Sequence, residues 1–153
     1  MGKKWREGEN MFGGEYNHSI DAKGRLTIPA KFRNELGLEC VVSRGLEGCL
    51  YVHSIEGFEE VVEELTKTKK TSKDIRMLRR QLFGNMENST YDKQGRILIP
   101  VNLREVAGLT KEVVVLGVGD HVELWDKDKW KTYGCMDDDD LADLADSVYA
   151  SLE

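Results

Sequence analysis

The chain alternates short strand-like stretches with short helical stretches. Tyr16, His18 and Ile20 alternate with polar residues, which is the period-2 pattern of a half-buried β-strand. A return strand follows within a few residues and carries Leu26 and Ile28 on one face. A helical stretch and further β-rich runs come next, and the whole order is then repeated. The pattern predicts a mainly β fold with flanking helices.

The repetition is visible in the residues themselves. Residues 20–33 read IDAKGRLTIPAKFR and residues 91–104 read YDKQGRILIPVNLR, an offset of 71. Both prolines of the chain occupy the same position in the two copies. The identical pairs are Asp21/Asp92, Gly24/Gly95, Arg25/Arg96, Ile28/Ile99, Pro29/Pro100 and Arg33/Arg104. A half of about 50 residues buries little core alone, so the copies are expected to pack together as an intrachain pseudo-dimer.

Each copy has a readable turn and a readable helix. Asp at the first and Gly at the fourth position of the turn are typical of a type I turn whose glycine takes positive φ and forms the bulge of a short hairpin. Proline ends each return strand, and helices are predicted over about residues 30–36 and 101–107. Gly37 and Gly108 then occupy the expected left-handed C-caps.

Three longer stretches have helical periodicity. Apolar residues from 55 to 65 alternate with glutamates, and a second stripe from 75 to 86 is preceded by Thr71 and Ser72 as a predicted cap. A third stripe runs from 141 to 152 behind four aspartates, where negative charge suits the start of a helix. The predicted organisation is an extension at 1–10, expected to be disordered, a first repeat with its helix at 11–71, a linking helix and second repeat at 72–136, and an acidic amphipathic tail at 137–153.

Charge is unevenly distributed along the chain. The formal net charge is −6, but residues 137–153 hold seven acids and no base, so the remainder is nearly balanced. Local basic surfaces are therefore compatible with the composition. The segment 67–80 is strongly basic, and because it follows a glutamate-rich helix we interpret it as paired or solvated rather than as a nucleic-acid surface.

Other classes of protein are disfavoured. The sequence has no apolar run of membrane-spanning length and no apolar signal segment, and its three cysteines are an odd number that fits a reducing cytoplasm. Cys40, Cys49 and His53 have no zinc-site spacing. Motifs of catalysis and of nucleotide binding are missing as well. We therefore expect no enzymatic activity, no cofactor and no metal.

The doubled motif resembles the MraZ family. The stretch MFGGEYNHSIDAKGRLTIPAKFR, residues 11–33, is similar to that family's N-terminal signature, and residues 91–104 are similar to its second copy. The resemblance covers about residues 11–136. A single copy would indicate only the wider AbrB-like group of swapped-hairpin DNA binders.

The resemblance implies a fold, an assembly and a function. The fold would be a double-split β-barrel built from two tandem AbrB-like half repeats. The molecule would be a homo-oligomeric ring larger than a dimer, cytoplasmic and nucleoid-associated, with no membrane and no small-molecule substrate as partner. It would regulate transcription by binding double-stranded DNA at repeated boxes upstream of the division and cell-wall gene cluster.

The resemblance also assigns the DNA contacts to the two turns. The residues concerned are Asp21, Lys23, Arg25, Asp92, Lys93 and Arg96. Guanidinium groups suit a phosphate or the O6/N7 edge of guanine, lysines add charge for phosphate, and the aspartates tie down turn amides. From spacing alone, the alternative is a turn closed by an Asp–Arg pair without any ligand.

Two other functions compete with this interpretation. An AbrB-like antitoxin usually carries one motif per chain, so the duplication argues against it. A ring-forming protein-interaction scaffold would have the same turns closed by internal ion pairs. A scaffold would lack the steep salt dependence that phosphate contacts give.

Overall fold

The computed structural model describes residues 11–67 and 72–152. Its strands are β1 (Phe12–Ser19), β2 (Arg25–Thr27), β3 (Glu39–Arg44), β4 (Leu50–Ser54), β5 (Glu87–Thr90), β6 (Arg96–Leu98), β7 (Glu112–Gly119) and β8 (Val122–Asp126). Its helices are α1 (Ala30–Leu36), α2 (Ile55–Thr66), α3 (Lys73–Phe83), α4 (Val101–Ala107), α5 (Lys127–Tyr133) and α6 (Asp138–Ser151). The order β1-β2-α1-β3-β4 is repeated by β5-β6-α4-β7-β8, as the doubled sequence predicts.

The two halves exchange their first strands. The larger sheet has the order β1-β7-β8-β4-β3-β5, so β1 pairs with the third strand of the second half and β5 with the third strand of the first. Strands β4 and β8 pair at the centre, with Leu50 opposite Leu124. All these pairs are antiparallel. The expected pseudo-dimer is therefore an interleaved one, in which each half completes the sheet of the other.

Strands β2 and β6 form a second, two-stranded sheet with Leu26 opposite Ile97. Backbone bonds extend this pairing, since the Ile28 N–H donates to the Gly95 carbonyl and the Ile99 N–H to the Gly24 carbonyl. In the described residues β1 and β5 remain the two edges of the large sheet. The β core with flanking helices is thus confirmed, whereas closure into a double-split barrel stays a prediction.

One hydrophobic cluster joins both sheets and both short helices. The return-strand residues Leu26, Ile28, Ile97 and Ile99 are completely buried in it. The short helices contribute Phe32, Leu36, Leu103 and Ala107, and the large sheet contributes Cys40, Val42, Leu50, Val113, Val115 and Leu124. Because matching positions of the two repeats meet in one core, neither half has a separate core of its own.

The short helices lie where the sequence predicts them. Pro29 and Pro100 are their N-caps, which suits a residue without an N–H and with fixed φ. Gly108 has the predicted left-handed conformation, with φ 64° and ψ 29°. Gly37 differs: its φ is 89° but its ψ is −168°, so the chain leaves α1 in an extended direction rather than in a left-handed turn.

The longer helices are confirmed, and their bounds differ by a few residues from the predicted stripes. Helix α3 ends at Phe83, so Met86 lies beyond it, and Ser72 caps it without a side-chain hydrogen bond. Residues 1–10, the predicted cap residue Thr71, Lys69 and Lys70 of the basic segment, and Glu153 lie outside the described residues. In the part of the chain that is described, every helix is too short or too polar to cross a membrane.

Candidate nucleic-acid interface

The first turn, residues 21–25, is organised by one carboxylate. Oδ1 of Asp21 accepts the backbone N–H of Lys23 at 3.0 Å and that of Arg25 at 2.8 Å. Oδ2 accepts Nε of the Arg25 side chain at 2.7 Å. Gly24 closes the turn onto the Asp21 carbonyl at 2.9 Å and has φ 87°, a conformation that favours glycine. A short polar side chain thus fixes both the loop and the arginine beyond it.

The second turn, residues 92–96, repeats these contacts. Oδ1 of Asp92 accepts the backbone N–H groups of Gln94 at 2.9 Å and Arg96 at 3.0 Å, and Oδ2 accepts Arg96 Nε at 2.8 Å. Gly95 has φ 75°. The two copies therefore share their geometry as well as their sequence, and the predicted Asp–Arg pair is present in each.

The hairpins around these turns are shorter than the sequence indicates. Ile20 and Leu26 form a single bridge, and the Asp21 N–H donates to the Arg25 carbonyl at 3.0 Å. Beyond that point β1 pairs with β7 and β2 pairs with β6. The strands separate because each finds a longer ladder in the other half of the chain.

The two turns are neighbours in space. Nη1 of Arg96 lies 3.6 Å from Oδ2 of Asp21, so a guanidinium of the second copy reaches the carboxylate of the first. The arginine and aspartate side chains are between 24% and 37% exposed. The arginines can therefore be reached from solvent while their orientation is held by the turn. The juxtaposition converts two separate loops into one continuous surface.

Ionisation of the two carboxylates is favoured at this surface. The backbone N–H of Arg25 is the main cause that lowers the pKa of Asp21, desolvation opposes it, and the Arg25 side chain lowers it further. The backbone N–H of Arg96 acts in the same way on the pKa of Asp92. Each aspartate thus stays charged, and it fixes its arginine by an ion pair that solvent still reaches.

The lysines of the two turns are not equivalent. Lys23 and Lys93 are both exposed. Lys23 has a backbone N–H bonded to the turn carboxylate, whereas in the second copy that position is taken by Gln94. Lys93 lines a surface groove of about 530 Å³ together with Arg33 and Tyr91. Both ammonium groups extend the positive surface around the arginines.

Two further arginines support the turns, each from the opposite half of the chain. Arg104 of α4 donates through Nε to the Ile99 carbonyl at 2.9 Å, and its guanidinium covers Gly24 of the first turn. Arg33 of α1 donates to the Ile28 carbonyl and covers Gly95 of the second turn. A side chain at either glycine would collide with these groups. The glycines are thus required by close packing as well as by backbone conformation.

The sequence repeat also includes Arg33 and Arg104, which the sequence alone did not assign to the turns. They are identical in the two repeats, yet no role was inferred for them because a helix position does not reveal which turn it faces. The pairing of β2 with β6 decides this, since it places the end of each return strand, and the helix that follows it, against the turn of the other copy. Together the turns and these two arginines contribute six basic side chains and two carboxylates.

Both halves of the chain match one protein family. Residues 11–81 and 82–145 each match the family described as "MraZ protein, putative antitoxin-like". The chain belongs to the MraZ family. A protein of Acetivibrio thermocellus named transcriptional regulator MraZ is 49% identical over 80% of this chain and 86% of its own length. Proteins with the same name from Moorella thermoacetica and Lachnoclostridium phytofermentans are 45% and 47% identical over 90% and 87% of this chain, and over 96% and 94% of their own lengths.

Other residues singled out in the sequence lie away from the turns. Lys67 pairs with Glu63 at 3.3 Å, both side chains being largely exposed, and Arg79 lies over the Phe83 ring at 5.4 Å. The Lys67 pair agrees with the interpretation of the basic segment as paired or solvated, whereas Arg79 does not, because its Nη1 is buried with no hydrogen-bond partner among the described residues. Cys40 and Cys49 are buried, and burial is the main cause that raises the pKa of their thiols, to about 11 and about 12.

Proposed function

We propose that this MraZ-family chain is a transcriptional regulator that binds double-stranded DNA with its two Asp-x-x-Gly-Arg turns. The observation that supports it best is the contact between the turns, in which Arg96 reaches Asp21. Two prepositioned guanidinium groups, with exposed Lys23 and Lys93 beside them, form a surface suited to phosphates and to guanine edges. The names of the relatives agree with this function. It would act in the cytoplasm, associated with the nucleoid.

The division of labour within each turn follows from the contacts. Asp21 and Asp92 are proposed to shape the turn and hold the arginine, because their oxygens are occupied by turn amides and by Nε. Because the Asp21 side chain binds the Arg25 side chain through Nε, the terminal guanidinium nitrogens of Arg25 remain available to contact DNA.

The proposal is tested by salt dependence. Binding to a DNA duplex that carries the region upstream of the chain's own gene should weaken steeply as the salt concentration rises, because each neutralised phosphate releases counterions. If about four phosphates are neutralised, the slope of log K against log salt is about −3.6. Fluorescence anisotropy across a series of salt concentrations measures it. A flat response, or no binding at low salt, would instead favour the protein-interaction scaffold.

We also propose that the fold is a double-split barrel of two tandem repeats. Both sheets contribute to one hydrophobic cluster, which is the arrangement that such a barrel requires. The proposed repeat boundary after residue 71 adjoins residues outside the described ranges. The acidic segment from residue 137 onward would form a separate tail helix.

We propose in addition that copies of the chain assemble into a closed homo-oligomer, a ring larger than a dimer. Helix α6 is exposed at every residue except Ala145, which is half-buried, and none of its residues is buried. It carries an apolar stripe. Leu141, Leu144 and Val148 are 58%, 46% and 48% exposed. Contiguous apolar surface of this kind marks interaction sites. A ring would also multiply weak contacts between single turns and DNA.

The triple variant in which serine replaces Leu141, Leu144 and Val148 is expected to form an assembly of lower molecular mass. The three side chains lie on one face of α6, so their loss removes the apolar stripe and leaves the helix N-cap at Asp137 intact. Light scattering of the unmodified chain should give a multiple of 17.4 kDa larger than two.

The matched control replaces three acids on the opposite face of α6, Asp139, Asp143 and Asp146, with serine. This variant should keep the mass of the unmodified assembly, because it alters charge and spares the stripe. If the unmodified chain is a monomer at micromolar concentration, the proposed ring is contradicted. If the triple serine variant of the apolar stripe keeps the mass of the unmodified assembly, α6 is excluded from the contact between subunits.

A further inference from the structure

The two-stranded ribbon of β2 and β6 presents one face to solvent. Its central residues, Leu26 and Ile97, are completely buried in the core. Side chains alternate between the two faces of a strand, and residues that lie opposite each other in an antiparallel pair share a face. The outward face therefore consists of the four outer residues, which form two opposite pairs: Arg25 with Leu98, and Thr27 with Arg96.

An exposed leucine lies on this face beside the arginines. Leu98 is 54% exposed, although it directly follows a completely buried residue of the same strand. Its neighbour across the ribbon is Arg25, and the Cβ atoms of such opposite residues are roughly 4.5–5.5 Å apart. The Arg25 side chain is itself held through Nε by Asp21 at 2.7 Å. An apolar side chain is thus fixed next to a guanidinium group whose orientation is set by the turn.

The corresponding position of the first repeat carries a different side chain. Thr27 matches Leu98 at the offset of 71, and it lies opposite Arg96. It is half-buried, whereas Leu98 is exposed. Arg96 also differs from Arg25, because its Nη1 lies 3.6 Å from Oδ2 of Asp21 in the other turn. The two ends of the ribbon therefore offer different chemistry to DNA: an arginine with a leucine at one end, and an arginine with a threonine at the other.

The chemistry of the Arg25–Leu98 pair favours a base edge over a phosphate. A phosphate is charged and hydrated, so an aliphatic side chain gains little by contacting it. In the major groove, guanine offers O6 and N7 to an arginine, and thymine offers its C5-methyl group to an apolar side chain. The major groove is also wide enough to admit a two-stranded β-ribbon. A leucine beside an oriented arginine thus matches a thymine methyl group near the base that the arginine contacts.

We propose that Leu98 is a specificity-determining residue that contacts the C5-methyl group of a thymine in the major groove, beside the base contacted by Arg25. This role rests on the proposed DNA binding, and it names a chemical group of the DNA that the two turns do not specify. Cytosine and uracil lack that methyl group, so Leu98 would favour thymine over both. Loss of one methyl group from the contact should weaken binding about fourfold, the value of one buried apolar carbon.

The first experiment replaces the thymines of the upstream duplex one at a time with deoxyuridine, which lacks only the C5-methyl group. Fluorescence anisotropy at a fixed salt concentration should show a loss of affinity of about fourfold at the contacted thymine and none at the other thymines. Leu98→Ala should lose at least as much affinity for the unmodified duplex. Deoxyuridine at the sensitive position should then have no further effect on Leu98→Ala, because both changes remove the same contact.

Two further variants separate this contact from general effects. Leu98→Met keeps an apolar side chain and should retain the preference for thymine over uracil. Leu46→Ala is the matched control, because Leu46 is 53% exposed and lies in the β3–β4 loop. It should bind both duplexes as the unmodified chain does. Melting temperature and light scattering verify that each variant keeps its fold and the mass of its assembly.

Three results would overturn the role of Leu98 while leaving DNA binding in place. Equal affinity of the unmodified chain for every deoxyuridine duplex would show that it contacts no thymine methyl group. A deoxyuridine effect of unchanged size in Leu98→Ala would assign the methyl contact to another residue. A lower assembly mass of Leu98→Ala would place the side chain in a contact between subunits. Absence of binding to the unmodified duplex would instead contradict the proposed function, and the role of Leu98 with it.

Discussion

The double variant Arg25→Ala and Arg96→Ala is expected to abolish specific DNA binding by the MraZ-family chain while leaving its stability nearly unchanged. Each arginine that contacts a base or phosphate should contribute about 1–3 kcal/mol to binding. Loss of both should therefore lower the affinity of one subunit by roughly two orders of magnitude or more. In a ring the effect multiplies, since every subunit presents the same two turns. Fluorescence anisotropy on the upstream duplex measures the loss.

Stability should change little because the turns do not depend on the arginine side chains. Oδ1 of Asp21 accepts two backbone N–H groups, and these bonds remain in Arg25→Ala. The ion pair that is lost is partly exposed, with Arg25 37% and Asp21 32% accessible, and solvent screening leaves such pairs only a small contribution to stability. Arginine substitutions are thus a cleaner probe of DNA contact than substitutions of the aspartates.

Arg44→Ala is the matched control. Arg44 lies at the end of β3 remote from the second turn, and its side chain pairs with Gln81 at 2.7 Å. It should retain nearly full affinity. Full affinity in the double variant would refute the assignment of the turns to DNA. A large fall in melting temperature with a proportional loss of binding would instead mean that the arginines only hold the turns together. The single variants reveal which copy reaches the operator.

Gly24→Ala is expected to produce the largest loss of stability among single glycine substitutions in the turns. Gly24 has φ 87°, and a Cβ there would lie 2.9 Å from the Ile99 carbonyl oxygen and 2.9 Å from Arg104 Cζ. The carbonyl is backbone, and its residue also donates its N–H to the Gly24 carbonyl at 2.8 Å. The collision therefore forces the two halves apart. We expect a loss of about 2–5 kcal/mol, from backbone strain and overpacking together.

Gly108→Ala separates strain from collision. Gly108 has φ 64°, and a Cβ there would have only the end of Lys129 nearby, at 3.9 Å. Alanine should cost about 1–2 kcal/mol at this position, from backbone conformation alone. Urea denaturation of both variants gives the difference. Equal losses of unfolding free energy in Gly24→Ala and Gly108→Ala would mean that the second half moves away from a Cβ at residue 24 without a free-energy cost. In Gly95→Ala the opposing atoms belong to the Arg33 side chain, which can move, so the loss should be intermediate.

Local features of the fold could be predicted because they depend on neighbouring residues. The Asp-to-Gly spacing predicts the turn, and a proline before an apolar stretch predicts the bounds of α1 and α4. The prediction was wrong for Gly37, whose ψ is set by the direction in which β3 continues. Met86 also fell outside α3, because the helix ends at Phe83, with Gly84 as its C-cap, before β5 begins.

The relation between the halves could not be predicted in the same way. A strand of alternating residues such as β1 can pair with any strand of matching pattern, and its choice of β7 rather than a strand of its own half depends on the whole sheet. The pairing of β2 with β6 is equally non-local, and the candidate site is incomplete without it. The aspartates, lysines and arginines of the turns were assigned through the family resemblance, whereas Arg33 and Arg104 gained a role only when the β2–β6 pairing set them against opposite glycines.

The exchange of first strands also determines when the large sheet can be completed during translation. Strand β1 pairs along its length with β7, from Phe12 opposite Gly119 to Ser19 opposite Glu112. Its partner leaves the ribosome about 100 residues later, which corresponds to roughly 5–20 s at ordinary translation rates. Throughout that interval an early strand has an unsatisfied edge. A neighbouring nascent chain can offer its own β7 to that edge, so crowding on one messenger favours strand-swapped dimers.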